Sequence, residues 1–368
     1  MVQDLLDLLG IGMPIIQAPM AGVSSPQMAA AASDAGALGS IAIGSVGPDD
    51  ARTMIEAVRA ATSAPFNVNL FCHAPARRRP EVEGAWIERL RPEFTALGAS
   101  PPHHLREIYR SFIGDHGMLG MLLDARPPIV SFHFGLPGED AIRSLRAEGM
   151  LMLATATNLR EARAIEAAGL DAIIAQGWEA GGHRGCFDPQ LPDEQLSTSA
   201  LVRMLSKASS IPVIAAGGIM DGRGIAAMLG LGAAACQLGT AFIGSDESIA
   251  DKGHRVALAD AAARGTVMTS AISGRPARCL SNRFTALGAG ACNSEIPDYP
   301  IAYDLAKSLH SAGSERGEYG FGAQWAGKAA AFARAGSTKE IIALLAEELR
   351  QFSASPVRGV TGGSNFEA

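Results

Sequence analysis

Strand-length apolar segments alternate with amphipathic segments from residue 13 to about residue 245. Because most of these segments are apolar at successive positions, they predict strands that are buried on both faces. The amphipathic segments repeat with the helical period, and several begin at Ser, Asp or Asn, whose side chains cap the free N–H groups of a helix. The predicted strands are 14–18, 39–43, 66–71, 129–134, 151–155, 172–176, 213–216 and 234–238, and the clearest predicted helices are 25–35, 49–60, 158–168, 197–207 and 221–229.

This order of elements predicts an α/β fold. Strands joined by helices form a parallel sheet that is covered on both faces, and eight strands are enough to close it into a TIM-type (β/α)8 barrel. We predict that residues 1–245 form this barrel, with an oversized third crossover at about 72–128 as a helical insertion over the barrel mouth. Residues 246–368 are predicted to form a mostly helical C-terminal cap or lid.

Polar residues and glycines recur just past the predicted strands. The active sites of such barrels lie at the carboxyl ends of the strands, so these positions are expected to meet at one rim. The positions are Met20, Ala21 and Gly22 after the first strand, Asn69, His133 and Gln176 at the third, fourth and sixth, Gly217 and Gly218 after the seventh, and Gln237, Leu238, Gly239 and Thr240 at the eighth.

The last two strands carry the pattern of a phosphate site. Gly217-Gly218 and Gly239-Thr240 follow them, and glycines there let backbone N–H groups approach phosphate oxygens. A G-x-G-x-x-A pattern at 230–235 also occurs, but it precedes a strand, whereas the dinucleotide-binding motif follows one. The pattern therefore favours a flavin with a single phosphate, such as FMN, over a dinucleotide.

Two histidines are candidates for the chemistry. His183 lies in a glycine-rich loop, with Gly181 and Gly182 before it, that leaves the end of the sixth strand. A histidine there suits a general base or an electrostatic partner for an anion. On the fourth strand, the two-residue period predicts that His133 shares a face with Ser131, while its neighbours Phe132 and Phe134 point away.

A third candidate group comes from the C-terminal region. If 299–307 is helical, Tyr299, Tyr303 and Lys307 form one stripe. Two phenols and an ammonium on one face suit an anionic substrate, and an amphipathic packing face is an equally good interpretation. Tyr109, in the predicted insertion over the mouth, is a further pocket candidate. His103 and Glu107 have helical spacing, but two ligands make a poor case for a metal, so no metal is expected.

Composition and charge narrow the function classes. The chain has 368 residues, with 31 Lys and Arg against 37 Asp and Glu, and no basic stripe. The one dense cationic run, 77–79, is interpreted as a solvated loop, so nucleic acid is not expected as a partner. Five cysteines without a C-x-x-C pair, no signal peptide and no membrane-spanning run predict a cytoplasmic protein that does not bind membranes. A homodimer is left open.

The motifs together resemble the class I nitronate monooxygenases, also called 2-nitropropane dioxygenases. The resemblance is carried by residues 17–26, 66–71, 131–135, 176–185, 215–219 and 237–240. It implies FMN as cofactor, His183 as the catalytic histidine and His133 as part of the pocket. The residues that it implies for FMN are Met20, Asn69, Gln176, Gly181, Gly218, Gln237, Leu238, Gly239 and Thr240, and we add their neighbours Ala21, Gly22, Gly182 and Gly217.

The activity that this resemblance implies is the oxidation of an alkyl nitronate, such as propionate 3-nitronate, with O2. The nitronate reduces the flavin by one electron, and a carbonyl compound and nitrite result. One position departs from the family pattern: relatives often carry Trp-x-Gly-Gln where this chain has Trp325-Ala-Gly-Lys328. Lys328 adds a positive charge if it faces the pocket, so the fine substrate preference stays open.

Three other functions compete with this hypothesis. The runner-up is an FMN-dependent NAD(P)H reductase of the enoyl-acyl-carrier-protein or quinone type, which shares the barrel and some motifs. The second is a flavin-binding protein without turnover. It is disfavoured because it would give no function to His183 or to the predicted cap. A dehydrogenase of the inosine-monophosphate type needs a nucleophilic cysteine after the sixth strand, and Cys186 lies near that place within a different motif.

Overall fold

The computed structural model describes residues 2–354 of the chain. Its strands are β1 (Ile15–Gln17), β2 (Gly39–Ala42), β3 (Phe66–Phe71), β4 (Ile129–His133), β5 (Leu151–Ala156), β6 (Ala172–Gln176), β7 (Gly182–His183), β8 (Val213–Ala216), β9 (Ala235–Leu238), β10 (Thr266–Thr269) and β11 (Ala277–Leu280). Eight of them form one parallel sheet in the order β1-β9-β8-β6-β5-β4-β3-β2. Ile16 of β1 also pairs with Leu38, the residue before β2, which closes the sheet into the predicted barrel.

Helices connect the barrel strands, and four of the five clearest predicted ones begin at the predicted caps, while the helix predicted at 49–60 is capped by Gly47 instead of Asp49. The hydroxyl of Ser25, for example, accepts a hydrogen bond from the Met28 N–H at 3.0 Å. The helices are α1 (Val2–Leu9), α2 (Pro26–Asp34), α3 (Pro48–Ala61), α4 (Pro80–Ala96), α5 (His116–Ala125), α6 (Glu139–Ala147), α7 (Leu159–Ala167), α8 (Thr198–Ala208), α9 (Gly222–Gly230), α10 (Thr240–Ile243), α11 (Lys252–Ala259), α12 (Ala261–Arg264), α13 (Arg283–Leu287), α14 (Ile301–Ser314) and α15 (Thr338–Ala354).

The first helix occupies one end of the barrel. Leu5 and Leu9 of α1 are buried and pack in one cluster with Ile16, Ile174 and Ile214 from three barrel strands. This apolar plug covers the amino-terminal ends of the strands. Polar chemistry is therefore confined to the opposite rim.

A second apolar cluster, which we call the cap cluster, forms outside the barrel. Trp86 and Phe94 of α4 pack in it with Phe284 of α13 and Leu305 of α14. The segment around α4 and the C-terminal segment thus share one core. In contrast, α15 packs against α2 and α9 of the barrel, and α5 packs against α3. The division into a barrel of 1–245 and a cap of 246–368 stays a prediction, and residues 355–368 of it lie outside the described range.

A small antiparallel sheet joins the barrel to the C-terminal segment. Its order is β10-β11-β7. In it Gly182 pairs with Arg278 and His183 pairs with Ala277. The glycine-rich loop after β6 is therefore fixed as a strand edge rather than left as a free loop.

Within residues 2–354, no helix combines the length and the apolar character that crossing a membrane requires.

Candidate active site

A cavity of about 600 Å³ opens at the carboxyl ends of the barrel strands. Its volume lies in the range of cofactor and ligand sites. Every residue that the sequence predicted for the site lines it: His183, His133, Tyr109, Tyr299, Tyr303 and Lys307, with Met20, Ala21, Gly22, Asn69, Gln176, Gly181, Gly182, Gly217, Gly218, Gln237, Leu238, Gly239 and Thr240. The structure thus brings both predicted sets together in one space, and their roles are treated below as proposals.

His183 is held at its ring and at its backbone. Its Nε2 lies 2.9 Å from the hydroxyl oxygen of Ser273, and its carbonyl accepts a hydrogen bond from Nε2 of Gln176 at 2.9 Å. Burial, followed by the proximity of His133 and Arg275, lowers the pKa of His183 to about 3. The imidazole is therefore neutral at neutral pH.

The second histidine lies directly behind this loop. Nε2 of His133 donates to the carbonyl oxygen of His183 at 3.2 Å, so its Nδ1 accepts from the Thr155 hydroxyl at 3.0 Å. Burial lowers the pKa of His133 to about 4. The loop approaches so closely that a Cβ on Gly185 would lie 2.7 Å from Cε1 of His133. Glycine at 185 is what lets the loop that carries His183 pack against the ring of His133.

Phe134 corrects one expectation. The two-residue alternation predicted that it points away from His133, but β4 ends at His133 and Phe134 adopts a φ of 75°. Its ring centre lies 4.5 Å from the ring centre of His133, 5.6 Å from that of His183 and 5.4 Å from that of Tyr299. The alternation fails here because it applies only while the backbone stays extended.

The predicted stripe of two tyrosines and a lysine is only partly helical. Because α14 begins at Ile301, Tyr299 precedes the helix, while Tyr303 and Lys307 lie on it. The ring centres of Tyr299 and Tyr303 nonetheless lie 5.4 and 6.1 Å from the ring centre of His183. The ammonium of Lys307 lies 5.0 Å from the Tyr109 ring centre.

Burial keeps the phenols of this group protonated. It raises the pKa of Tyr109 to about 12 and shifts the pKa values of Tyr299 and Tyr303 upward as well. It lowers the pKa of Lys307. The cavity wall therefore offers neutral O–H donors beside one ammonium group.

The other wall is shaped for a cofactor. Gly217 and Gly218 have φ values of 124° and 71°, which favour glycine, and a Cβ on Gly217 would lie 2.9 Å from the Ala180 nitrogen. The side-chain oxygen of Gln237 is buried and has no hydrogen-bond partner among the described residues. A buried amide oxygen requires a donor. These residues thus fit a phosphate-bearing cofactor that carries its own N–H or O–H groups.

Sequence reasoning missed several residues at the site. Ser273 and Arg275 come from the segment before β11, and neither had a motif that marked it. The sequence marks Trp325 only as part of the family pattern at 325–328, yet its ring centre lies 5.1 Å from that of His183. A signal was available for Trp325 alone, because tryptophan is rare in the chain, with three copies.

The structure places two residues, Lys328 and Cys186, whose roles the sequence leaves open. Lys328 is exposed and does not line the cavity, and its N–H donates to the Glu179 carbonyl at 2.9 Å. Cys186 is buried outside the cavity lining, and burial raises the pKa of its thiol. A buried, protonated thiol is a poor nucleophile, which disfavours the inosine-monophosphate dehydrogenase alternative.

The cationic run 77–79 is an exposed loop, as predicted, in which the side chains of Arg77 and Arg78 are 65% and 52% exposed. Two of its arginines are in addition bound to the C-terminal segment. Nη2 of Arg79 lies 2.9 Å from one carboxylate oxygen of Asp298, and Nε of Arg77 lies 3.3 Å from the other. Arg79 also donates to the carbonyl of Ile296 at 2.6 Å. The run therefore anchors the segment that carries Tyr299.

Comparisons with known proteins agree with one another. Residues 3–348 match the family model described as nitronate monooxygenase. A nitronate monooxygenase of Paraburkholderia phytofirmans is 55% identical over 347 residues, which cover 94% of this chain and 95% of the relative. One of Pseudomonas aeruginosa is 52% identical, with 93% and 98% covered. The solved structure of nitroalkane oxidase from Streptomyces ansochromogenes is 40% identical, with a TM-score of 0.87 and coverage of 94% and 98%.

Proposed function

We propose a function for this site from the premise that the chain belongs to the nitronate monooxygenase family. The protein is an enzyme that oxidises nitronates, the anions of nitroalkanes. Its cofactor class is a flavin. The finer proposal is that the flavin is FMN and that small alkyl nitronates such as propionate 3-nitronate react with O2 to give a carbonyl compound and nitrite.

The residues present fit FMN. The positive-φ glycines 217 and 218, with Gly239 and Thr240, would hold its phosphate at the usual phosphate site of a barrel. The buried oxygen of Gln237, which lacks a partner among the described residues, would accept from a donor of the cofactor. Met20, Asn69 and Gln176 would border the ring system. When bound, FMN supplies a centre that accepts electrons from the nitronate and passes them to oxygen.

The surroundings of His183 carry the substrate class, because its ring lies among those of Phe134, Tyr299 and Trp325 and its Nε2 is bound to Ser273. With its pKa lowered to about 3, its imidazole is a weak base toward the carbon acid of a neutral nitroalkane. A substrate that arrives already deprotonated needs no such base. His183 therefore orients the anion against the cofactor, while Ser273 fixes the ring.

The remaining side chains bind the anion at its other end. Lys307 attracts it electrostatically, and the phenols of Tyr109 and Tyr303 lie beside the ammonium and are protonated at neutral pH. A nitronate with a carboxylate, such as propionate 3-nitronate, would use both the His183 side and the Lys307 side of the cavity. Phe134 and Trp325 keep the space between them apolar.

Oxygen uptake by the purified protein tests this proposal. Propionate 3-nitronate, ethylnitronate, neutral nitroethane and NADH are supplied separately. We expect rapid uptake with the nitronates, at least about tenfold slower uptake with nitroethane because His183 is a weak base, and none with NADH. Equal rates with nitroethane would contradict the substrate class. Oxidation of NADH with inert nitronates would overturn the activity.

The runner-up activity remains an FMN-dependent NAD(P)H reductase on the same barrel. It is less supported, because the relatives at 52 and 55% identity are both named nitronate monooxygenase. A cytoplasmic location, with a small nitronate and O2 as the reaction partners, completes the proposal.

A further inference from the structure

Arg275 is a buried cation beside the active-site aromatic rings. Its side chain is 4% exposed, and the guanidinium carbon lies 4.3 Å from the centre of the Phe134 ring. That ring in turn contacts His133 and His183 on the cavity side. Arg275 does not line the cavity itself, so it acts across the Phe134 ring rather than by contact with a ligand.

The charge of Arg275 lacks a close counter-charge. One Nη atom donates to the Cys186 carbonyl, while Nε has no hydrogen-bond partner within residues 2–354. No carboxylate in that range lies within ion-pair distance of it. Arg184, buried to the same degree, shows the usual solution, because its Nε lies 2.6 Å from a carboxylate oxygen of Asp193. An unpaired buried charge is costly to fold, so its retention calls for a compensating role.

Three histidines and a tyrosine are the titratable side chains between this charge and the cavity. His73, His133 and His183 lie near it, and Arg275 is among the causes that lower the pKa of each. Tyr299 faces it as well, and burial keeps that phenol protonated. Glu161 is the nearest acidic influence, and its carboxylate is bound by the N–H groups of Thr157 and Phe187. Arg275 therefore contributes a positive potential on the His183 side of the cavity.

We propose that Arg275 is a positioning residue whose unpaired charge selects planar anions over neutral molecules at His183. This inference rests on the proposed function, because it assigns the preference for the nitronate over the neutral nitroalkane to one buried charge. The charge draws the O–N–O group of the nitronate toward His183, and the field favours the neutral form of that ring. Because the Phe134 ring separates the guanidinium from the cavity, neither the nitronate nor the nitrite product forms a direct ion pair with Arg275.

Anion binding separates this role from a structural one. Nitrate serves as the probe, since it has a planar O–N–O group and is not oxidised. Its dissociation constant is measured by calorimetry on the flavin-loaded full chain and on Arg275→Met and Arg275→Lys, with neutral nitroethane as the matched uncharged ligand. Arg275→Met is expected to raise the dissociation constant of nitrate about tenfold, because the attraction of one charge across the Phe134 ring is lost. In Arg275→Lys the dissociation constant of nitrate should stay within about threefold of the parent value. The dissociation constant of nitroethane should change less than about twofold in both variants.

The pH dependence gives a second readout. His183 is faced by His133, His73, Tyr299, Tyr303 and Arg275, of which only Arg275 is charged at neutral pH. Removing that charge raises the pKa of His183, so the acid limb of kcat/KM moves to higher pH in Arg275→Met and stays in place in Arg275→Lys. Equal loss of nitrate and nitroethane binding, or an unmoved acid limb, would overturn the proposal.

The nitrate-binding measurement does not depend on turnover. If the protein failed to oxidise nitronates but nitrate binding followed the charge at residue 275, the proposed activity would fall and this inference would stand. If Arg275→Met did not fold, the equally uncharged Arg275→Gln would take its place. A folded Arg275→Lys protein that lost nitrate affinity tenfold would show that shape, not charge, matters at this position.

Discussion

The Nε2 atom of His183 lies 2.9 Å from the hydroxyl of Ser273, although the two residues are 90 positions apart in the chain. The contact joins the loop after β6 to the segment before β11. It fixes the ring of the residue that we place against the substrate. Both partners come from segments that the small sheet of β7, β10 and β11 brings together.

Replacing Ser273 by Ala should therefore lower kcat more than it raises KM. The ring loses one hydrogen bond, worth about 0.5–1.5 kcal/mol, which corresponds to a roughly twofold to tenfold loss of rate. Steady-state oxygen uptake with a nitronate measures both constants. Ser308→Ala on α14, whose hydroxyl bonds only the Asp304 carbonyl, is the matched control. A change in KM alone would argue that Ser273 does not orient His183.

His183→Asn should abolish most turnover and leave the cofactor bound. We expect a loss of about a hundredfold or more in kcat/KM, the scale of a positioned catalytic group. The flavin content of the purified variant, read from its visible spectrum, should equal that of the parent, because His183 borders the cofactor wall without forming it. The control is His116→Asn, an exposed position on α5. Unchanged turnover with full flavin would remove His183 from the mechanism.

Stability should fall on the acid side because buried histidines are neutral in the folded chain. Burial lowers the pKa of His73 from its ordinary value of 6.5 to about 4. Between those values the unfolded chain binds a proton that the folded chain does not, so the free energy of unfolding decreases as the pH drops through this window. Thermal unfolding from pH 8 to pH 4 should show a steady loss of Tm below about pH 6.5.

His73→Phe should flatten that decline. Both ring nitrogens of His73 lack a hydrogen-bond partner among the described residues, so an apolar ring costs little at pH 8. At pH 5 the variant should have the higher Tm of the two proteins. His104→Asn, at an exposed position, should follow the parent curve. A parallel shift of His73→Phe at both pH values would contradict the titration argument.

Gly181→Ala should weaken flavin binding and stability together. A Cβ there would lie 2.4 Å from the backbone carbon of Ala326, so two backbone segments on the cavity wall must move apart. Overpacking of this kind costs about 1–3 kcal/mol. Flavin dissociation constants and Tm values provide the measurement. Gly120→Ala in α5, where a Cβ meets nothing within 4 Å, should be neutral or stabilising.

Asp298→Asn should raise KM while leaving kcat nearly unchanged. The variant loses its charge attraction to Arg77 and Arg79, which hold the segment before Tyr299. Such partly exposed pairs are worth up to about 1 kcal/mol, so a rise in KM of roughly fivefold at most is expected. High salt should produce part of the same rise in the parent protein. Asp140→Asn, which breaks an exposed pair with Arg143 on α6, should change neither constant.

Much of the cofactor wall could be predicted from sequence. Met20, Asn69, Gln176 and Gly218 all line the cavity, as a barrel requires of residues at the carboxyl ends of its strands. Once eight buried strands and their connecting helices are recognised in the chain, this convergence follows from the topology. No knowledge of side-chain packing is needed for it.

The substrate side could not be predicted in the same way. Phe134 turns into the cavity because its φ is positive, and the apolar pattern of β4 contains no sign of that turn. Ser273 and Arg275 reach the site through the pairing of β11 with a two-residue strand, which is too short to leave a pattern. Tyr299 is near His183 although it lies outside the helix that was expected to carry it.

The sequence by itself determined the barrel and the position of the strand-end glycines and of His183 at one rim, because local periodicity and strand-end position suffice for them. Only the tertiary structure decided that His183 is neutral, that Ser273 holds it and that Arg275 remains unpaired beside it. Those properties depend on burial and on contacts between distant segments. Desolvation and long-range packing arise only when the chain is folded.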